Sequence, residues 1–241
     1  MRYLDIPHIE TILRGSICGV TDPRVVCIHG ATTNGSAYFE TLRLHLAKVG
    51  IASLAFDFIG AGKTGGDMNV SSLKDRFEQA RSVIDGVAHH LPLVLIGASM
   101  GADTAIRLSQ QYPTSALILF VPGVYARHAY TVSFNEEFTS MLRSERSWED
   151  SESFDILSRF SGSLLIIGAG DDEVVSREIL DRLLSSAKNA HKKELTIVPR
   201  SSHSILSSYF PAHQKEFVRV FEKVYHAIVG SSSSSPRPDT E

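Results

Sequence analysis

The sequence predicts an α/β protein built on a mostly parallel sheet wrapped by helices, and three observations predict it. Short apolar runs rich in β-formers alternate with helix-period segments from residue 24 to residue 228, the pattern of repeated strand-helix-strand crossovers. Each run is almost continuously hydrophobic, as strands buried on both faces are. With 241 residues, 43% hydrophobic and 21% charged, the chain is long enough for one domain with a large core.

The elements follow in order. Ile9 to Ile17 alternates in the manner of one or two antiparallel edge strands. The parallel strands are expected at Val25-Val26-Cys27-Ile28, Ile51 to Phe56, Leu93 to Ile96, Ala116 to Val121, Leu164 to Ile167 and Leu195 to Val198. Helices are expected at Ser36 to Val49, Ser72 to Ala88, Met100 to Gln111, Arg177 to Ala187 and Pro211 to Val229, filling the gaps that crossovers need. Residues 124 to 154 break the rhythm, with Tyr125, Tyr130, Phe134, Phe138, Met141, Leu142 and Trp148 among many charges. This suggests an inserted helical cap, whose aromatic residues either line an acyl or aryl pocket or pack the cap onto the core. Residues 1 to 229 are thus expected to form one domain, and the Ser/Pro-rich stretch 230 to 241, with nothing apolar to bury, a disordered tail.

Composition excludes several function classes. A net charge of -3 with scattered Lys and Arg leaves no basic stripe, so no nucleic-acid partner is expected. Met1 to His8 lacks an apolar h-region, and no run reaches the roughly 18 apolar residues of a membrane helix; a cytoplasmic protein is the expectation. Cys18 and Cys27 would face each other if residues 16 to 29 formed a hairpin about Asp22-Pro23, whereas two thiols in a chain without an export signal are more often reduced.

Gly97-Ala98-Ser99-Met100-Gly101 follows the run Leu93 to Ile96 and precedes the helix-like stretch Ala102 to Gln111. A serine hydroxyl is a poor nucleophile unless a fold presents it to a base on one side and to oxyanion donors on the other. The outer glycines remove the Cβ atoms that would keep strand and helix apart. Catalytic loops of parallel sheets gather beyond the carboxyl ends of the strands, so partners of Ser99 should each follow a strand. Asp171-Asp172 follows Leu164 to Ile167, and His203 follows Leu195 to Val198. The order is then Ser99, aspartate, His203, separated by 172 − 99 = 73 and 203 − 172 = 31 residues. His203 would act as general base while the aspartate holds the imidazole tautomer. Both aspartates compete for that role, and Gly168, three residues upstream, favours Asp171.

Other histidines fit poorly. His213 is expected inside the last helix, and His89, His90, His191, His45 and His226 at solvated positions. Gly60-Ala61-Gly62-Lys63-Thr64 ends like a phosphate-binding loop, but the glycine required five residues before Gly62 is Asp57, whose carboxylate would repel phosphate.

Taken together, these residues resemble the α/β-hydrolase family over about residues 10 to 228: His29-Gly30-Ala31 after one strand, Asp57-Phe58-Ile59-Gly60-Ala61-Gly62-Lys63-Thr64 after the next, the Ser99 elbow, the aspartate loop and the late histidine. The resemblance implies an eight-stranded, mainly parallel sheet with a short helical cap. It implies a Ser99, Asp172, His203 triad, because Asp172-Glu173-Val174-Val175 matches the family's downstream pattern, and an oxyanion hole from the backbone N–H groups of Ala31 and Met100. His29 would brace that loop. The second and third strands would not be neighbours, which disfavours a Cys18–Cys27 disulfide. The chain looks most like the small feruloyl or cinnamoyl esterase and monoacylglycerol-lipase-like group of serine aminopeptidase S33 type, through Phe56 to Gly62, Gly65-Gly66-Asp67-Met68 and Val83-Ile84-Asp85-Gly86-Val87. It departs from that group at Ala98, Ala61 and Thr64. The implied protein is a serine hydrolase that needs neither metal nor cofactor and cleaves a small-molecule carboxylic ester through an acyl-enzyme. A thioester or amide substrate, or a non-hydrolytic lyase or receptor on the same fold, is the alternative.

Overall fold

A computed structural model describes residues 1–88 and 92–230; His89, His90 and the expected tail from residue 231 lie outside them. Eight strands form one sheet: β1 (Arg2–His8), β2 (Thr11–Cys18), β3 (Val25–Ile28), β4 (Ser53–Phe56), β5 (Leu93–Ala98), β6 (Thr114–Phe120), β7 (Ser163–Ala169) and β8 (Lys192–Val198), in the order β1-β2-β4-β3-β5-β6-β7-β8. β3 to β8 run parallel, and the β1–β2 hairpin joins antiparallel to β4. The chain steps from β3 outward to β4 and then back past β3 to β5. The loops leaving β3 and β5 therefore diverge and open a crevice beyond the strand ends, where ligands of such sheets bind. Ile28 pairs with Gly97 in that register, which sets the His29-Gly30-Ala31 loop beside Ser99.

Helices cover both faces, as doubly buried strands require. α1 (Glu40–Lys48) and α8 (Gln214–Gly230) bury Leu42, Leu46, Phe217, Val220 and Val224 against Val25, Cys27, Ile96 and Ile118. On the other face α2 (Leu73–Val87), α3 (Met100–Leu108), α5 (Glu152–Arg159) and α6 (Arg177–Ser186) pack on Val26, Ile28, Phe56, Leu95 and Leu117. Between β6 and β7 the chain makes a 3-10 turn (Arg127–Thr131), then α4 (Glu136–Arg143) and α5. Asp103 of α3 accepts from Ser153 Oγ at 2.8 Å and pairs with Arg107 at 2.8 Å, while Arg107 also reaches Glu152 at 2.7 Å. A buried polar network thus ties α5 to the helix that follows Ser99.

Three local expectations need correction. The alternating segment is β2 alone, and β1 lies upstream of it, with Ile9 at φ +47 in the turn between them. Pro7 is accommodated because β1 is an edge strand, where a missing N–H interrupts no ladder. The last helix is split into α7 (Phe210–Ala212) and α8, with His213 at φ −130 and ψ 64 in the break and its ring stacked 3.9 Å from Tyr209. His45 is half-buried, its ring 4.7 Å from that of Phe217. The strand β4 lies between β2 and β3, so Cys18 and Cys27 are separated; both are free and buried. Burial pushes the Cys27 thiol up to about 12, which keeps it protonated.

Candidate active site

Ser99 sits between β5 and α3 at φ +50 and ψ −122, a conformation that costs a residue with a Cβ on the order of 1–3 kcal/mol. Packing on all sides holds it there. A Cβ on Gly97 would lie 2.6 Å from Ala102 Cα, and one on Gly101 would overlap Ile28 O and lie 2.7 Å from His29 O. Both glycines are needed for strand, helix and loop to approach so closely. Ser99 N–H donates to Phe120 O at 2.9 Å, and Ser99 O accepts from Ala102 and Gly123.

His203, in the loop after β8, places Nε2 2.9 Å from Ser99 Oγ, and its Nδ1 lies 3.0 and 3.1 Å from the two carboxylate oxygens of Asp172. An ionised carboxylate can only accept, so Nδ1 carries the proton and Nε2 is left to accept from the serine hydroxyl. Asp172, in the loop after β7, also receives the N–H groups of Val174 and Val175, both at 2.9 Å. Burial alone would raise this carboxyl; hydrogen bonds from His203, Val175 and Val174 outweigh it and hold Asp172 below the usual carboxylate value. Asp171 is exposed, and its N–H donates to Ser201 O at 2.9 Å. Tertiary geometry thus brings Asp172, not Asp171, to His203.

The loop after β3 lies across the crevice. A Cβ on Gly30 would be 2.8 Å from Ser99 Cβ and 2.9 Å from Ala98 O, so glycine is what lets the loop reach the elbow. His29 is fully buried; its Nδ1 donates to Gly30 O at 2.7 Å and its Nε2 accepts Phe58 N–H at 3.1 Å. Burial first, and then the charge of Arg76, lowers His29 to about 3, so the ring is a neutral brace. Among the described residues neither Ala31 N–H nor Met100 N–H has a partner within the chain; Met100 opens α3, where amide groups lack helical acceptors.

A cavity of about 250 Å³ lies over Ser99, lined by Ala31, Thr32, Asn34, Tyr38, His203, Ser204 and Ser207 among others. Three larger cavities, of about 450, 460 and 290 Å³, lie along the β1–β2 edge, beside α8 and next to the β1–β2 turn, and touch none of Ser99, Asp172 and His203. Convergent chemistry rather than size locates the site. None of the aromatic residues between β6 and β7 lines the cavity over Ser99: Tyr125, Phe134 and Phe138 pack with Leu73 and Met100, and Trp148 packs on Phe154. The Gly60 to Thr64 loop is closed around Asp57, which accepts from Ser36 N–H at 2.6 Å and Lys63 N–H at 2.7 Å. The amides that a phosphate would need are already taken.

Residues 20–159 match the model of a protein family described as serine aminopeptidase, S33. The chain belongs to this hydrolase family. An uncharacterized protein of Mycobacterium tuberculosis, found in two strains, is 26% identical over 178 residues, 71% of this chain. The chain spans 61% of the length of that relative. Among solved structures, Paleococcus ferrophilus monoacylglycerol lipase is similar with a TM-score of 0.65 and 17% identity over 87% of this chain and 98% of that one. Est1E from Butyrivibrio proteoclasticus, bound to ferulic acid, is similar with a TM-score of 0.64 and 18% identity over 91% and 98%. These likenesses, with the sheet order above, show the α/β-hydrolase fold.

Several residues of this hydrolase's site escaped the sequence reading. Tyr38, Ser204 and Ser207 line the cavity but carry no local signal. Arg76 had one: it falls on the apolar stripe of α2 beside Leu73, Phe77, Ala80 and Val83, where a charge is out of place.

Proposed function

We propose that this hydrolase cleaves carboxylic esters through an acyl-enzyme formed on Ser99. The hydrogen-bonded chain from Ser99 through His203 to Asp172, assembled from the ends of three parallel strands, carries this reading. Ser99 Oγ attacks the ester carbonyl as its proton passes to His203 Nε2. The negative oxygen of the tetrahedral intermediate is held by the N–H groups of Ala31 and Met100, each donor lowering the barrier by roughly 3 kcal/mol. The intermediate collapses with cleavage of the C–O bond, and the departing alkoxide takes the proton from His203. Water then attacks the acyl-enzyme with His203 again as base, releasing the carboxylic acid and restoring Ser99. Asp172 keeps Nδ1 protonated and stabilises the imidazolium in both halves. A thioester reacts by the same steps with a thiolate leaving. The cavity of about 250 Å³, walled by Thr32, Asn34, Ser204 and Ser207, suits a compact small-molecule ester.

Residues 1–229 would act as one domain in which the stretch 124–154 serves as a cap, and the two free thiols suit a reducing, cytoplasmic setting. No helix among the described residues is long and apolar enough to cross a membrane. The test is a fluorophosphonate probe together with hydrolysis of p-nitrophenyl, feruloyl and thioester substrates. Ser99→Ala should lose both labelling and turnover; full labelling or undiminished turnover in that variant overturns the reading.

A further inference from the structure

Arg76 is 1% exposed in α2, and among the described residues no carboxylate lies within ion-pair distance of it. Its Nη2 instead donates to two carbonyl oxygens of the loop after β3, His29 O at 2.5 Å and Gly30 O at 3.1 Å. The guanidinium lies 3.8 Å from the centroid of the Phe58 ring, and Nε has no partner. Burial brings Arg76 down to about 9, which leaves it charged at neutral pH. An uncompensated buried charge is costly, and an apolar side chain would fill the same space without that cost. What an apolar side chain would lack is a positive charge at those carbonyls.

The Gly30 carbonyl and the Ala31 N–H belong to one peptide unit. Three donors converge on Gly30 O: Arg76 Nη2, His29 Nδ1 at 2.7 Å and Thr32 N–H at 3.0 Å. They fix the plane of the peptide and hence the direction of Ala31 N–H. They also draw electron density toward the oxygen, which makes the N–H at the other end a stronger donor. His29 is neutral, so the net charge in the group is that of Arg76.

We propose that Arg76 is a positioning residue for the oxyanion hole: it holds and polarises the Gly30–Ala31 peptide so that Ala31 N–H meets the negative oxygen of the tetrahedral intermediate. The proposal rests on reading Ser99 as the nucleophile. Its effect belongs to the transition state, because an ester carbonyl carries little charge before attack.

The test measures hydrolysis of p-nitrophenyl acetate and inhibition by an alkylboronic acid, which adds to a nucleophilic serine as a tetrahedral anion. Wild type, Arg76→Met and Arg76→Lys are compared after thermal melts establish that they fold. Arg76→Met should lower kcat by about tenfold to hundredfold with KM within about twofold, and weaken the boronate by the same factor as kcat. Arg76→Lys, which keeps the charge, should lose only about threefold to tenfold in both; if Arg76→Met does not fold, this variant decides. The proposal is overturned by a folded variant that keeps wild-type kcat and boronate affinity, by a loss confined to KM, or by Arg76→Lys no better than a folded Arg76→Met. Failure of the underlying reading is distinct: Ser99→Ala would then keep its turnover whatever Arg76 does.

Discussion

Arg43 and Arg76 are both almost fully buried, on opposite faces of one sheet, and among the described residues neither is paired with an acid. They differ in what surrounds them. Arg43 of α1 uses all three nitrogens on two serines: Nε to Ser53 Oγ at 3.2 Å, Nη1 to Ser16 Oγ at 3.0 Å, and Nη2 to Ser16 O at 2.7 Å and Ser53 O at 3.1 Å. Ser16 lies on β2 and Ser53 on β4, so this guanidinium staples the antiparallel hairpin to the parallel sheet. Arg76 leaves Nε unmet and spends Nη2 on a loop that borders Ser99. A saturated buried cation at a strand seam holds the fold together. An incompletely satisfied one in α2 holds the loop that leaves a strand end, where the proposal above gives it a part in the reaction.

That contrast predicts two kinds of loss. The largest effect belongs to the strand ends: Asp172→Asn should lower kcat by about 10⁴-fold, because the imidazole loses its fixed tautomer, with little change in urea midpoint. Asp171→Asn should stay within about twofold of wild type. Kinetics on both variants decide, and a damaging Asp171→Asn would reassign the acid.

At the seam, Arg43→Met should cost about 3 kcal/mol or more in urea unfolding, since two serines and two carbonyls lose their donor. Its kcat per folded molecule should stay within about twofold of wild type. A comparable loss of kcat would erase the distinction between the two arginines.

The next effect concerns acid. His29 takes up a proton near pH 6.5 when unfolded but only near 3 when folded. Between those values the unfolded chain binds more protons, so stability falls as pH falls, by on the order of 3 kcal/mol from pH 6.5 to 4. Asp172, held low by its partners, adds a loss of the same sign below the ordinary carboxylate value. Urea titrations at several pH values should show a shallower slope in His29→Gln; an unchanged slope would place the acid sensitivity elsewhere.

Much of this was legible in sequence, and particular residues show why. β3 matches the run Val25 to Ile28, β5, β7 and β8 each contain their predicted run, and β6 contains all of its run except Val121, because doubly buried strands write themselves as continuous apolar stretches. The elbow was legible because Gly97 and Gly101 bracket Ser99 in a recognisable turn pattern, although the crowding that requires Gly101 comes from Ile28 and His29 at the end of β3. β1 was not, since an edge strand reading Arg2-Tyr3-Leu4-Asp5-Ile6-Pro7-His8 has one solvated side and pairs only with a partner that it does not itself specify. Nor was the break at His213, where the ring stacks on Tyr209.

The sequence by itself pointed to the fold class, the succession of strands and helices along the chain, and Ser99, an aspartate and His203 as residues that each follow a strand, because periodicity and turn chemistry act between residues close along the chain. Between Asp171 and Asp172, chemically identical neighbours, the residues alone left the choice open and the family resemblance favoured Asp172; the tertiary structure sets the Asp172 carboxylate against His203 and leaves Asp171 exposed. It alone set Arg76 of α2 against the carbonyls that follow β3, 46 residues away along the chain. Hydrogen bonds and buried charge depend on distances that only the packed sheet fixes.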